Sequence, residues 1–279
     1  MNLPSFLVCG RHRLALDRPL VMGVLNVTPD SFYDGGCYLD ASAAFDCARQ
    51  MIEAGADIID IGGESTRPGA APTPDAVERE RVVPLVERIA ALGTPVSVDT
   101  RKSSVMRAAI AAGASMINDV SGLRGTGALH AVAAAPTPVA VCVMHMRGEP
   151  ATMQQEVAYA DVTAEVRAFL AARAAACEDA GIARERIAVD PGFGFGKTVE
   201  HNLDLLRHLP DLVGLGFPVL VGLSRKSTIG ALTGRVVDER LAGSVAAALS
   251  AVARGAKIVR VHDVRETVDA LKVWNAVHG

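Results

Sequence analysis

The sequence predicts a (β/α)8 TIM barrel that forms a single domain over residues 1–279. Eight short apolar segments alternate with longer helical patterns, which is typical of parallel strands joined by helices. Glycine follows several of the helical patterns and leads directly into the next strand. A doubly wound open sheet is the alternative, but it would normally place Gly-x-Gly-x-x-Gly after the first strand, where this sequence has none.

The eight strands are predicted wherever a short run of uncharged, β-branched or small residues ends at a polar or glycine residue. Ile187-Ala188-Val189, which stops at Asp190, shows the pattern in its simplest form. In chain order the predicted strands are 20–26, 57–63, 96–99, 116–120, 139–145, 187–190, 219–223 and 257–261.

Helical patterns fill the intervals between these strands. The glycine stops are Ala54-Gly55-Ala56, Ala112-Gly113-Ala114 and Gly255-Ala256, each just before a predicted strand. The predicted helices are 41–54, 75–92, 103–112, 128–134, 156–181, 199–209, one beginning near 226, 238–254 and 264–277. Linkers, charge blocks and low-complexity tracts that would indicate a second domain do not occur.

Composition narrows the class of protein. A net charge of −3 argues against a nucleic-acid-binding surface, which needs clustered Lys and Arg. No apolar run reaches the roughly 18 residues that a bilayer span requires, so we expect no membrane partner. The N-terminal segment carries arginines within or after its apolar part, unlike a secretory signal. Five widely spaced cysteines without a Cys-x-x-Cys pair fit reduced thiols, which predicts a cytoplasmic protein.

Polar residues stand at the carboxyl end of nearly every predicted strand. In barrels of this class that end carries the chemistry. Helix capping explains an Asn or Asp at one or two strand ends, but not polar residues at almost all of them. The residues in order are Asn26, Gly62-Gly63-Glu64, Asp99, Asn118-Asp119, His145, Asp190, Ser224-Arg225-Lys226, and Arg260 with His262.

These rim residues divide by chemistry. Asp99, Asn118 and Asp190 offer acceptors and an amide, which suits a heterocycle with several N–H groups along one edge. Asp190 is followed by the glycine-rich stretch 191–197, whose backbone can approach a flat ligand closely. Arg260 and His262 leave the last strand and predict a cationic pocket for an anion. Asn26, on the neighbouring first strand, could reach the same anion or a metal that holds it.

The segment 224–228 opens the helix after the seventh strand. Free N–H groups at a helix start attract a carboxylate or phosphate, and Ser227 adds a hydroxyl. Lys226 could donate to the ligand or lie along its face. The loops 27–36 and 64–72 combine charge with Pro and Gly and are longer than simple connectors, which predicts mobile lids over a substrate.

Several motifs in family order, from about residue 20 to the end, resemble the dihydropteroate synthase family. They are Met22 to Phe32 (MGVLNVTPDSF), Gly62 to Gly69 (GGESTRPG), Ser97 to Thr100 (SVDT), Ile117 to Asp119 (IND), Asp190 to Lys197 (DPGFGFGK), Gly222 to Ser227 (GLSRKS), and Arg260 to His262 (RVH). The resemblance implies condensation of (7,8-dihydropterin-6-yl)methyl diphosphate with 4-aminobenzoate, with Mg²⁺ as cofactor. It also implies a homodimer.

The resemblance also implies roles for individual residues. Pterin binding falls on Asp99, Asn118, Asp190 and Lys226, with Met144, Phe193 and Gly222 lining the pocket. Diphosphate binding falls on Asn26, Thr66, Arg260 and His262, and Mg²⁺ binding on Asn26 and Asp34. The aminobenzoate pocket is implied at Phe32, Pro68, Lys226 and Ser227. The residues expected to take part in catalysis are Asp99, Lys226, Arg260, His262 and Arg67.

Three alternatives remain open. A pterin-dependent methyltransferase barrel shares the pterin socket, but the Thr66-Arg67-Pro68 loop and the missing cobalamin module argue against it. A non-catalytic pterin-binding paralogue would not need the residues of the diphosphate corner. A lyase that uses Lys226 as a Schiff base is the weakest, because that lysine falls on a helix start expected to be solvated.

Overall fold

The structure is a computed structural model that describes residues 3–28, 37–65, 69, 71–149, 152–153 and 157–278. In this part of the chain the strands are β1 (Phe6–Cys9), β2 (His12–Ala15), β3 (Leu20–Asn26), β4 (Ile58–Gly62), β5 (Val96–Asp99), β6 (Met116–Asp119), β7 (Ala140–Met144), β8 (Ile187–Asp190), β9 (Leu220–Val221) and β10 (Ile258–Val261). The α-helices are α1 (Cys37–Glu53), α2 (Asp75–Ala90), α3 (Ser103–Ala111), α4 (Ala128–Ala133), α5 (Val162–Asp179), α6 (Val199–Arg207), α7 (Leu209–Val213), α8 (Ser227–Thr233), α9 (Leu241–Val252) and α10 (Val264–His278).

Strands β3 to β10 form one parallel sheet in the order β8-β7-β6-β5-β4-β3-β10-β9. A parallel bridge between Val189 and Val219 joins the two edges, so the sheet closes. Helices connect successive strands, and the predicted (β/α)8 barrel is confirmed. Strand β9 covers Leu220–Val221, whereas the prediction was 219–223. The chain turns just after this strand, where the Lys226 N–H donates to the Leu223 carbonyl immediately before α8.

The barrel strands are almost wholly apolar because helices cover the outside of the sheet and side chains fill its interior. The burial pattern of β4 and of β7 is buried at every position. Gly55, Gly113 and Gly255, the predicted helix stops, have φ values of 99°, 108° and 97°. These left-handed angles suit glycine and turn each chain segment from its helix into the next strand.

An antiparallel hairpin of β1 and β2 precedes the barrel, and we did not predict it from sequence. Leu7, Cys9 and Leu16 are buried against residues at the starts of the barrel strands, including Leu20 and Ile258. The hairpin therefore closes the amino-terminal end of the barrel, opposite the rim where polar side chains gather. Its strands of four residues each are too short for a strong periodic signal in the sequence.

Two helices differ from their predicted bounds. Helix α5 begins at Val162 rather than near 156, because the Asp161 carboxylate accepts a hydrogen bond from the Ala164 N–H and caps the helix there. The predicted helix 199–209 ends at Arg207, and α7 follows after a break at His208. Pro210, which has no N–H, lies in the first turn of α7. Among the described helices, none combines the length and apolar character of a membrane span.

Candidate active site

Strand register brings the polar strand ends to one level of the barrel. Asn26 lies opposite Gly62, Gly62 lies opposite Asp99, and Asp99 lies opposite Asn118. On the other side of the mouth, Met144 lies opposite Asp190. The expected gathering of rim residues at the carboxyl end is therefore present in the fold.

Arg260 lies at the centre of a carboxylate cluster rather than in an open cationic pocket. Its Nε donates to Asp60 Oδ2 at 2.6 Å, and one terminal nitrogen donates to Asp99 Oδ2 at 3.0 Å. Asn118 Nδ2 also donates to Asp60 Oδ2, at 3.3 Å. Arg260 thus links the residues expected to hold a heterocycle with those expected to hold an anion.

Asp60 is a site residue that we did not select from sequence. Its side chain is fully buried on β4, and it is the partner closest to Arg260. The only available signal was a carboxylate in the middle of the apolar run Ile58–Gly62. Buried carboxylates are almost always paired, so this position already required a cation somewhere else in the chain.

Opposing effects set the charge states in this cluster. Burial raises the pKa of Asp99, and the neighbouring Asp60 carboxylate raises it further, while Arg260 opposes the rise. Burial disfavours the charged form of Arg260, but the carboxylates of Asp60 and Asp99 outweigh it and raise the pKa of the guanidinium. Arg260 therefore stays charged, and its charge is paired with the carboxylates of Asp60 and Asp99.

Two acceptor atoms in the cluster are buried and lack a partner among the described residues. They are Asp60 Oδ1 and Asn118 Oδ1. A buried acceptor without a donor is costly, so these oxygens favour a ligand that brings N–H groups. A heterocycle with several N–H groups along one edge meets that requirement.

The glycine-rich stretch after β8 packs directly onto the end of β7. Gly192 has a φ of 70°, and a Cβ added to it would lie 1.9 Å from the His145 carbonyl oxygen. The Gly192 N–H donates to Asp190 Oδ1 at 2.7 Å and so holds the carboxylate at the rim. Burial raises the pKa of Asp190, and the positive charge of Lys226 opposes that rise.

Lys226 reaches across the mouth from the start of α8. Its Nζ donates to the Phe193 carbonyl and lies 4.6 Å from the centre of the Phe195 ring. Glycines at 194 and 222 leave room for it, since a Cβ on Gly194 would lie 3.3 Å from Lys226 Cδ. Burial lowers the pKa of Lys226 to about 8. Lys226 is intermediate in exposure, so the lysine at this helix start is partly rather than fully solvated.

The segments after β9 and β10 are joined by two contacts, one between Arg225 and Asp263 and the other between Ser224 and His262. Arg225 forms a two-point ion pair with Asp263, with Nε 3.1 Å from Oδ2. Arg225 has a φ of 58°, which is uncommon for a residue with a side chain. Its N–H donates to Ser244 Oγ at 2.9 Å, which helps to hold this conformation. The backbone that carries Lys226 is thus fixed relative to the strand that carries Arg260.

His262 is held by Ser224 in the second of these contacts. The His262 N–H donates to Ser224 Oγ at 3.2 Å, and Nδ1 of the ring is 3.0 Å from the same oxygen. The hydroxyl proton can then go to Nδ1, which favours the tautomer with its proton on Nε2. Desolvation at the rim, and then the positive charge of Arg260, lower the pKa of His262 to about 4, although the residue remains exposed. The lowered pKa favours the neutral imidazole, which can donate a hydrogen bond through Nε2.

The low pKa of His262 predicts acid sensitivity of the fold. Between pH 6.5 and about 4 the unfolded chain binds a proton at this residue that the folded protein does not. The stability contributed by neutral His262 is therefore present above pH 6.5 and is lost as the pH falls towards 4. Because His262 is exposed at the rim, solvent screens part of this effect, so we expect His262→Gln to reduce the pH slope of the unfolding free energy by well under the single-proton limit of about 1.4 kcal/mol per pH unit. Urea unfolding between pH 7.5 and 5 measures it, and equal slopes for the two proteins would contradict the assignment.

The other predicted site residues fall into two groups. Met144 is buried at the end of β7, and Ser227 is exposed at the first position of α8. Phe193 is 1% exposed and its ring packs in the main core, so its carbonyl rather than its ring meets Lys226. Five predicted residues, Phe32, Asp34, Thr66, Arg67 and Pro68, lie outside the described part of the chain.

The base of the second predicted lid is held by a charged network. Glu64 Oε1 accepts from the Thr73 N–H at 2.8 Å and from Lys102 Nζ at 3.2 Å. Arg101 donates to Glu64 Oε2 at 3.3 Å and to Glu149 Oε2 at 2.8 Å. The two ends of the segment 64–73 are therefore joined to each other and to the start of α3.

Comparison with known proteins agrees with this geometry. The family model for pterin binding enzymes matches residues 22–262. The dihydropteroate synthase of Neisseria meningitidis serogroup B is 52% identical over 274 residues, which is 96% of each chain. This chain belongs to the dihydropteroate synthase family. Its members are transferases, and the resemblance noted from the motifs is confirmed.

Solved structures give the same result. The dihydropteroate synthase of Xanthomonas albilineans, solved with 4-aminobenzoic acid, has a TM-score of 0.93 and 55% identity, covering 99% of this chain and 98% of that one. The dihydropteroate synthase of Burkholderia cenocepacia, solved with 7,8-dihydropteroate, has a TM-score of 0.90 and 55% identity, with the same coverage. The fold is therefore shared over nearly the full length of these relatives.

Proposed function

We propose that this chain condenses (7,8-dihydropterin-6-yl)methyl diphosphate with 4-aminobenzoate at the carboxyl end of its barrel, giving 7,8-dihydropteroate and diphosphate. The observation that carries the proposal is the cluster of Asp60, Asp99, Asn118 and Arg260, with two buried acceptors still lacking donors. The family supplies the reaction, and this cluster, with Asp190 and Lys226 on the facing side of the mouth, supplies a site of suitable chemistry.

The pterin is proposed to lie between the carboxylate cluster and the glycine-rich stretch. Its N–H groups would donate to Asn118 and to the carboxylates, among which Asp190 is held by the Gly192 N–H. Lys226 would lie along one side, where its stem passes Gly194. Met144 and Gly222 complete the proposed lining, and Gly222 lies next to both Lys226 and Arg260, since a Cβ there would be 3.9 Å from each side chain.

The chemical step is proposed to be a dissociative displacement without a covalent enzyme intermediate. The bond between the methylene carbon and the diphosphate oxygen breaks, and its electron pair leaves with diphosphate. Arg260 and the Nε2–H of His262 would stabilise the charge that develops there. Asp99 and Asp190 would stabilise the pterin methylene cation. The aniline nitrogen then forms the new C–N bond and loses one proton to solvent.

The aminobenzoate pocket is proposed at the start of α8. The exposed Ser227 would meet the carboxylate of the substrate, and the stem of Lys226 would contact its ring. Phe32 and Pro68 are proposed to complete the pocket. Thr66 and Arg67 are proposed at the diphosphate end.

Magnesium is the proposed cofactor, and the available donors suit it. Asn26 presents an amide oxygen beside Gly62, where a Cβ would lie only 3.2 Å from Oδ1, so this side of the oxygen is open because residue 62 is glycine. Magnesium prefers oxygen ligands and is often held by one or two side chains together with substrate phosphates. Asn26 and Asp34 would supply these ligands. When bound, the ion would neutralise charge on the departing diphosphate.

The alternatives make different demands on the site. A pterin-dependent methyltransferase would share the carboxylate cluster but would not need His262 held as a donor beside Arg260. A non-catalytic paralogue would bind pterin without releasing diphosphate. Both alternatives therefore predict no diphosphate product from the pterin diphosphate substrate and 4-aminobenzoate.

A diphosphate-release assay tests the proposal. We expect release only when pterin diphosphate and 4-aminobenzoate are both present, and we expect EDTA to suppress it and added Mg²⁺ to restore it. No release from folded protein under these conditions would refute the proposed reaction. Diphosphate release that EDTA does not reduce would contradict the proposed need for Mg²⁺ but not the proposed reaction.

We also propose a homodimer that forms in the cytoplasm from single-domain chains of residues 1–279. Helix α9 (Leu241–Val252) has no charged residue, and Leu232, Val236 and Val237 beside it are 59%, 63% and 46% exposed. Several large apolar side chains exposed within one short segment favour an interface between chains. Sedimentation at the mass of one 29.1 kDa chain would contradict the dimer.

The cytoplasmic location is tested by cell fractionation. Recovery of the protein from a non-cytoplasmic fraction would contradict it.

A further inference from the structure

Lys197 closes the glycine-rich stretch and is 3% exposed. Its Nζ lies 3.0 Å from the Gly192 carbonyl oxygen, 3.1 Å from that of Phe195 and 3.4 Å from that of His145. It also lies 2.9 Å from Nδ1 of the His145 ring. Four acceptors around one buried amino group are enough to receive hydrogen bonds from all of its protons.

The glycine-rich stretch 191–197 is irregular backbone that packs closely against other backbone, so its buried carbonyl groups need a hydrogen-bond donor such as Lys197. A Cβ on Gly196 would lie 2.7 Å from the Arg147 carbonyl oxygen, and the His145 carbonyl faces Gly192 even more closely. This close approach turns several carbonyl groups towards one point in the interior. Among the three carbonyls near Lys197, that of Gly192 also accepts from the Phe195 N–H at 3.1 Å, and no backbone donor to the other two occurs in the described structure. Buried carbonyls need partners, and Lys197 is the partner for three of them.

The opposite side of the same stretch faces the proposed pterin. The Gly192 N–H holds Asp190, the Phe193 carbonyl accepts from Lys226, and the Phe195 ring lies beside the Lys226 ammonium. Gly192 and Phe195 are also two of the residues whose carbonyls Lys197 holds. One buried side chain therefore contacts Gly192, which holds Asp190, and Phe195, whose ring lies beside Lys226.

The charges around Lys197 agree with this role. Burial lowers the pKa of Lys197 to about 7, and the Asp190 carboxylate opposes that change. Burial, and then the positive charge of Lys197, lower the pKa of His145 to about 3, so the His145 ring is a neutral acceptor. The His145 ring is held from its other side by an edge contact with Phe169.

We propose that Lys197 is a positioning residue for the pterin half of the site, which acts by gathering the carbonyls of the glycine-rich stretch and so fixing Asp190 and Lys226. It touches neither substrate. The diphosphate half, built on Arg260 and His262, makes no contact with Lys197 in the described structure and is held by other partners. This inference rests on the proposed function only in naming the heterocycle as a pterin.

The test compares Lys197→Met with the wild type and with Leu7→Ala, a core substitution in the β1–β2 hairpin. Leu7 is fully buried at the amino-terminal end of the barrel, opposite the rim, so its truncation lowers stability without a contact to the site. Calorimetry measures binding of 6-hydroxymethyl-7,8-dihydropterin, which lacks diphosphate, and of inorganic diphosphate with Mg²⁺. Steady-state assays give kcat and the KM for pterin diphosphate.

We expect Lys197→Met to weaken binding of the dihydropterin about 10- to 100-fold and to raise the KM for pterin diphosphate similarly, as lost hydrogen bonds to a charged group would do. Diphosphate binding should stay within about twofold. Leu7→Ala should lower the unfolding midpoint while leaving both affinities unchanged. Lys197→Gln, which keeps two amide hydrogens, should fall between Lys197→Met and wild type.

Unchanged dihydropterin affinity in folded Lys197→Met would overturn the inference, and so would equal loss of dihydropterin and diphosphate binding. If Lys197→Met does not fold, Lys197→Gln decides by the same two affinities. Failure of the proposed function looks different, because the wild type itself would then release no diphosphate. The affinity comparison would still show whether Lys197 organises the heterocycle site.

Discussion

Arg260→Met is expected to lower kcat/KM about 10²- to 10³-fold, the loss typical of removing a donor that stabilises developing charge. It is also expected to reduce the free energy of unfolding by about 3–5 kcal/mol, because the change leaves buried Asp60 without its cation. From sequence, Arg260 was expected to serve the anion only. Since it also orders Asp60 and Asp99, binding of a pterin that lacks diphosphate should weaken as well.

The double variant Asp60→Asn/Arg260→Met separates the two effects of Arg260. Removing both charges of a buried pair costs less than removing one, so this variant should recover a large part of the lost stability. It should not recover turnover, because the donor to the leaving group is still missing. Urea unfolding and steady-state kinetics measure the two quantities. Turnover that returns together with stability would show that Arg260 matters for folding alone.

Lys226→Met is expected to raise the KM for both pterin diphosphate and 4-aminobenzoate and to lower kcat/KM about 10²-fold or more. Methionine keeps an apolar stem beside Gly194 but removes the ammonium that donates to Phe193 and faces Asp190. The stability change should be small, because Lys226 is only partly buried and no buried ion pair is broken. Steady-state kinetics in each substrate measures the effect.

Two matched variants accompany Lys226→Met. Lys272→Met removes a lysine whose side chain is 72% exposed on α10, and we expect it to leave kinetics unchanged. Lys226→Arg keeps the charge but replaces a compact ammonium with a planar group, so it should retain part of the activity. Loss of only one of the two substrate affinities in Lys226→Met would show that the lysine serves a single pocket.

The sequence was sufficient for the barrel because the relevant pattern is local. Each strand or helix can be recognised within about a dozen residues. A strand buried on both faces is a short, continuous apolar run, and a glycine often marks the end of a helix. Gly55, Gly113 and Gly255 were predicted as helix stops, and their backbone angles agree. The fold class then placed Asp99, Asn118 and Asp190 at one rim, since parallel strands share a carboxyl end.

What the sequence did not disclose are pairings that exist only after the barrel closes. Asp60 and Arg260 are separated by 200 residues, and neither position shows its partner in the sequence around it. The same holds for Lys197, whose acceptors include His145, 52 residues away.

By itself, then, the sequence determined the order of strands and helices, the end of the barrel that carries chemistry, and the residue types available there. Only the tertiary structure decided which charges meet, that Lys226 is partly buried, and that the pKa of His262 is lowered. The physical reason is that periodicity is encoded by neighbours along the chain. Charge state and hydrogen bonding depend instead on burial and on neighbours in space, which closure of the sheet brings together.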